Sequence, residues 1–163
     1  MKRVWYVLHV KPRTEKKLAA WLKLLRLWHY LPLRKKSYRV QRRKVVRMLP
    51  IFPGYVFVRM DPRDRVSVLK TNLVVGTILV ERPREMIHQL RQIKNAGRTG
   101  RDMRVVERFH EGEKVRIKSG PFYGIEGYVK TDKGGTSVIL NIEILGQAVA
   151  VTLSPGELES LRN

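Results

Sequence analysis

Between Leu33 and Arg47 the chain reads LRKKSYRVQRRKVVR, eight basic side chains with no acid among them. Arg34, Lys35, Lys36, Arg39, Arg42, Arg43, Lys44 and Arg47 offer one chemistry, the neutralisation of a row of phosphates. Tyr38, in their midst, offers a ring on which a base can stack. A solvated charged face is the plainer account of such a run. Against it, the run falls in a hairpin rather than on a helix surface, an aromatic interrupts it, and its surroundings do not compensate it. The formal net charge is +20, and the first 109 residues hold 28 of the 34 Lys and Arg but seven of the 14 Asp and Glu. The segment from His110 onward is nearly neutral. A polyanion, RNA or DNA, is therefore the expected partner of the N-terminal part.

Chemistry of other kinds finds little support. His9, His29, His88 and His110 stand apart, with no carboxylate or nucleophile at informative spacing and no pair at metal-ligand spacing. Cysteine is absent, which excludes disulfides, thiolate metal sites and a cysteine nucleophile. The glycine-spaced loop near Gly120 is followed by neither Lys-Ser/Thr nor a helix, so it is not a nucleotide cradle. No catalytic residues, metal or cofactor are expected. The N-terminus is too short and too soon charged for a signal peptide, and no uncharged run approaches a membrane span, so a cytoplasmic protein without a membrane partner is expected.

Two kinds of domain must position these residues. Val4–Val10 suits a buried strand, and Thr14 then offers an N-cap to a helix whose apolar positions are Leu18, Trp21, Leu22, Leu25 and Trp28. Strands are expected at Tyr30–Leu33 and Tyr38–Val46, on either side of a basic connection, and at Tyr55–Met60. Asp61-Pro62 opens a second helix, continued by Val66 and Leu69. Val74–Val80 reads as a strand. Pro83 opens a third helix with Met86, Ile87, Leu90 and Ile93 on one face. Residues 1–96 thus predict an α+β domain, an antiparallel sheet with flanking helices. Residues 97–109 read as a linker whose last residues could instead begin the next strand. Residues 110–163, with short strands at Lys114–Lys118, Gly127–Thr131, Val138–Leu145 and Ala148–Leu153, predict a small all-β barrel. Asp132-Lys133-Gly134-Gly135 is its hairpin turn.

Three motifs carry a family resemblance: Trp5-Tyr6, Phe52-Pro53-Gly54-Tyr55, and the corner Gly120-Pro121-Phe122 followed by Gly124 and Gly127. Their order and separation resemble the NusG family of transcription elongation factors, and the last resembles its KOW motif. The resemblance implies an N-terminal NusG-type domain, an SH3-like KOW barrel and no enzymatic activity. It implies docking on the clamp helices of RNA polymerase's largest subunit through Phe52 and Tyr55, a role favoured over a place in the core, with Trp5 and Tyr6 equally suited to joining them or to serving as core. It implies that the Lys70-Thr71-Asn72 turn reaches the opposite jaw. For the KOW domain it implies a partner surface at Phe122, Ile144 and Leu145, recruiting a small ribosomal-subunit protein or Rho, with Ile144 equally suited to the core. Where the family has Ile-Phe-Gly-Arg this chain has Ile144-Leu145-Gly146-Gln147, which removes an aromatic anchor and a bidentate donor. The strong basicity points to a specialised paralog recruited by nucleic acid. A ribosomal or RNA-processing protein with a KOW module is the alternative.

Overall fold

The computed structural model describes residues 2–98, 103–120, 122–133, 135–153 and 157–161, so Pro121 and Gly134 of the predicted turns lie outside the described residues. The chain divides into two compact units, Met1–Pro83 and Arg84–Asn163. In the first, β1 (Val4–Val10), α1 (Glu15–Leu24), β2 (Trp28–Tyr30), β3 (Leu33–Val40), β4 (Arg43–Pro50), β5 (Tyr55–Met60), α2 (Pro62–Leu69) and β6 (Val74–Leu79) follow in order. β2, β5, β1 and β6 form an antiparallel sheet in that order, while β3 and β4 pair only with each other.

Strand alternation sorts the residues of this sheet. Leu8 and Val10 of β1, and Val56, Val58 and Met60 of β5, join Leu18, Leu22, Leu27, Val68 and Leu73 in a buried core, with Tyr6 packed against it. The buried stripe of α1 is narrower than its spacing predicts. Only Leu18 and Leu22 of its predicted apolar positions are buried, Trp21 and Leu25 are exposed, and Trp28 lies in β2 and is 72% exposed. The helix closes early because Arg26 adopts a positive φ of 56° and the Leu27 N–H reaches back to the Leu22 carbonyl at 3.0 Å. This is the Schellman arrangement, here without its usual glycine. In α2 the buried residue is Val68, while Val66 and Leu69 are exposed.

Asp61 caps α2. Its carboxylate accepts from the Arg63 N–H at 2.7 Å and the Asp64 N–H at 3.2 Å, and Asp64 returns the bond to the Asp61 N–H. Burial pushes the Asp61 pKa up, but these two N–H groups and the Arg63 guanidinium together hold it below the ordinary aspartate range. A carboxyl whose folded pKa is depressed stabilises the fold above its unfolded pKa and loses that contribution as pH falls through the folded one. Thermal melts at pH 7 and pH 3 should therefore differ less for Asp61→Asn, which keeps the acceptor but cannot titrate, than for the native chain. An equal difference would show that the cap does not contribute.

The second unit holds α3 (Pro83–Gly97, its first residue being the last of the first unit), β7 (Met103–Glu107), β8 (Lys114–Ile117), β9 (Glu126–Asp132), β10 (Gly135–Ile142), β11 (Gln147–Thr152) and β12 (Leu158–Ser160). The strands make one antiparallel sheet ordered β12-β8-β9-β10-β11-β7. Of the two readings of residues 97–109, the second holds for Met103–Glu107, which is a strand paired with β11 from Met103↔Val151 to Glu107↔Gln147. α3 is tied to this sheet by its polar face. Gln89 Oε1 accepts from the Glu143 N–H at 3.0 Å, and Gln92 Nε2 donates to the Glu126 carbonyl at 3.5 Å.

Gly127 is required for packing rather than for a corner. A Cβ there would stand 2.5 Å from the Ile139 carbonyl oxygen and 2.7 Å from Val138 Cγ1, so β9 approaches β10 more closely than any side chain permits. Gly127→Ala should destabilise this unit by about 1–3 kcal/mol, the usual cost of overpacking, in urea unfolding. Gly124→Ala is a useful contrast, because Gly124 has open space around it and only its φ of +84° to lose.

Candidate functional site

Phe52-Pro53-Gly54-Tyr55 folds as a turn closed by the Tyr55 N–H and the Phe52 carbonyl at 3.3 Å. Proline at the second position and glycine at the third, with φ +90° at Gly54, are the requirements of a type II turn. Two further bonds fix the turn to the body. The Gly54 carbonyl accepts from the Val10 N–H at 2.8 Å, and the Gly54 N–H donates to Glu15 Oε1 at 2.8 Å. Glu15 is buried at the start of α1. No local signal marks this 39-residue reach, and Thr14 is the residue expected to contribute at that helix start. Thr14 does occupy the N-cap, but its hydroxyl donates to the Lys11 carbonyl and makes no cap bond.

Removing the Glu15 carboxylate leaves the Gly54 N–H unpaired, which typically costs about 1–3 kcal/mol. Glu15→Ala should therefore lower urea stability by that amount, and Glu15→Gln, which keeps an oxygen acceptor, should restore most of it. Equal losses in the two variants would contradict the role given to this bond.

The turn forms one wall of a depression of about 750 Å³. Val10, Pro12, Leu49, Pro50, Pro53 and Val75 give it an apolar lining, and Arg13, Lys16 and Arg34 add basic groups. Beside it His9 and Tyr55, cross-strand partners, stack with centroids 5.2 Å apart and planes 20° apart. β1 shifts register between His9 and Val10, where it meets β6 next to the turn. An apolar hollow with a cationic rim suits a partner that brings both an apolar anchor and acidic groups.

The predicted docking residues do not form one surface. Phe52 is only 1% exposed, so its ring belongs to the interior and is not the docking anchor that the resemblance implies. Tyr55 is half-buried at the rim. Trp5 and Tyr6, adjacent on β1, point to opposite faces. Tyr6 packs on the helix-side core, while Trp5 pairs across with Arg59. In Lys70-Thr71-Asn72 the Thr71 hydroxyl donates to the Val68 carbonyl at 2.7 Å, and Asn72 takes a φ of +60°. That turn leaves Lys70 and Asn72 exposed and uses Thr71 to close itself.

The basic segment is a hairpin, but its turn is elsewhere than expected. The register runs from Leu33↔Pro50 to Val40↔Arg43, so Lys35 and Lys36 lie in a strand and Gln41-Arg42 make the turn. Both carry positive φ, 49° and 66°, as a two-residue type I′ turn demands. Tyr38 is half-buried, and the Arg47 guanidinium lies 5.4 Å from its ring centroid, so one face of the expected stacking platform is covered. Arg34 sits at the base, in the depression. Lys35, Lys36, Arg39, Arg42, Arg43, Lys44 and Arg47 are exposed.

At the corner that follows Gly120, the aromatic assigned by resemblance to the partner surface turns inward. Phe122 is 1% exposed and buried, whereas its neighbour Tyr123 is 74% exposed. Ile144 and Leu145 are half-buried in a 3-10 turn (Glu143–Leu145) that ends β10 three residues earlier than predicted, before Gly146 with φ +63°. Among the described residues no cluster of His, Asp and Glu could hold a metal ion, and no helix is long and apolar enough to cross a membrane.

Residues 3–94 match the family described as transcription termination factor nusG. The transcription termination/antitermination protein NusG of Borreliella burgdorferi is 23% identical over 184 aligned positions, covering 99% of this chain and all of that protein. The protein of the same name from Vibrio cholerae is 31% identical over 131 positions, covering 74% of this chain and 69% of its own. An α+β unit bearing the Phe-Pro-Gly-Tyr turn, a separate all-β sheet bearing the KOW-like corner, and these matches together place the chain in the NusG family of transcription termination/antitermination factors.

Proposed function

We propose that this chain is a specialised NusG-type elongation and antitermination factor, acting in the cytoplasm on transcribing RNA polymerase. Its N-terminal unit docks the clamp helices of the largest subunit through the depression beside Phe52–Tyr55, and this docking suppresses pausing. The β3–β4 hairpin adds contact with nascent RNA or the non-template DNA strand. The C-terminal sheet acts as an SH3-like KOW barrel that recruits a further partner. Leu145 and Gln147, in place of the aromatic and arginine usual there, favour a partner other than a small ribosomal-subunit protein or Rho. The observation that carries the reading is the depression itself, apolar within and basic at its rim, held in shape by the Glu15–Gly54 bond.

Val75 lines that depression, is 62% exposed and belongs to no buried cluster, so a charge there should alter docking and spare the fold. Immobilised native chain is expected to retain purified RNA polymerase, and Val75→Asp to retain at least tenfold less at an unchanged melting temperature. Equal retention by both would refute the docking site. Retention by neither would favour a ribosomal or RNA-processing role.

A further inference from the structure

We propose that the β3–β4 ribbon enters a groove of a double-helical nucleic acid, with one phosphate row against each of its faces; this rests on the hairpin's being a nucleic-acid contact. The charge distribution carries it. Alternation and register place Lys35, Arg39 and Lys44 on one face, and Lys36, Arg43 and Arg47 on the other. None of the six has an acidic partner among the described residues, where the ion pairs lie elsewhere. A single strand presents one row of phosphates and is served by one cationic face; a second such face behind it would only add repulsion. Two rows running on either side of a groove use both.

The shape agrees. The ribbon is a sheet of its own, eight residue pairs long, and only its base lines the depression. Two antiparallel strands lie about 5 Å apart, and a ribbon of that width is admitted by a groove about 12 Å wide. At its leading end Gln41 and Arg42 hold left-handed backbone angles without glycine or asparagine. Such strain persists where side chains are needed. Here it places an amide and a guanidinium at the tip, where the groove floor would lie.

The test uses fluorescence anisotropy of the full chain with labelled 20-mers of one sequence, as single-stranded DNA, single-stranded RNA, duplex DNA and hairpin RNA. Two triple variants separate the faces: Lys35→Gln/Arg39→Gln/Lys44→Gln and Lys36→Gln/Arg43→Gln/Arg47→Gln. At least one duplex should bind tenfold or more tighter than either single strand, and whether it is DNA or RNA identifies the source. Each triple variant should lose at least tenfold on that duplex and lower its log–log salt slope by about 3, since each neutralised phosphate contributes about 0.9. Single strands binding as tightly as duplexes, or one silent triple variant, would overturn groove entry while leaving nucleic-acid binding intact. No binding to any probe would remove both.

Discussion

Phe52→Ala is expected to unfold the N-terminal unit rather than to weaken docking on a folded protein. The side chain is among the largest that are fully buried, with Phe57, Leu8, Leu18 and Leu22. Truncating a buried phenylalanine removes its transfer free energy and leaves a cavity, about 3–5 kcal/mol in all. A domain of some 80 residues has roughly 4–12 kcal/mol of total stability, so the loss is a large fraction of it. Urea unfolding should show a midpoint shifted accordingly, and any loss of polymerase retention should track the unfolded fraction. A variant that melts as the native chain does while losing retention would place the ring at the interface instead. Phe52→Leu, which keeps most of the apolar volume, should restore most of the stability and show whether the aromatic ring has a second role.

The second large effect is electrostatic. If the hairpin contacts six or more phosphates, binding of nucleic acid should weaken on the order of a thousandfold between 50 and 200 mM salt, because each contact releases a condensed counterion. Lys35, Lys36, Arg39, Arg42, Arg43, Lys44 and Arg47 are exposed, which makes that number of contacts available from the ribbon alone. The slope of log affinity against log salt gives the number of contacts directly. A slope shallower than about −2 would mean that the charge run is a solvated face and little else.

Much of the frame was legible in the residues because its signals are local. Phe-Pro-Gly-Tyr must turn, since proline fixes one angle and glycine supplies the positive φ, and the type II turn follows. Asp61-Pro62 must start a helix, and it does, with a reciprocal cap. Long-range choices left no such trace. The resemblance assigns Phe52 to docking, but its burial is decided by the interior it meets. Phe122 and Tyr123 are adjacent aromatics at one corner, and spacing cannot say which turns inward. Gln41-Arg42 has none of the residues that type I′ turns prefer, so the basic run looked like a connection followed by one long strand. Glu15 reaches 39 residues along the chain to Gly54, and only the folded backbone brings them together.

The burial of Phe52 moves the proposed docking surface from its ring to the neighbouring proline edge. The part of Pro50–Gly54 open to a partner is its proline edge, Pro50 and Pro53, with Leu49 and Val75 beside it and the His9–Tyr55 stack at the rim. Phe52 beside that edge is buried, and the Glu15 carboxylate holds the turn through the Gly54 N–H.

The most direct test of this account is single-round transcription by purified RNA polymerase across a template with a defined pause, with and without the full chain. The dwell time at the pause should shorten with native protein and return to the polymerase-alone value with Val75→Asp. An unchanged dwell time with folded, polymerase-bound native chain, or full activity of Val75→Asp, would contradict it.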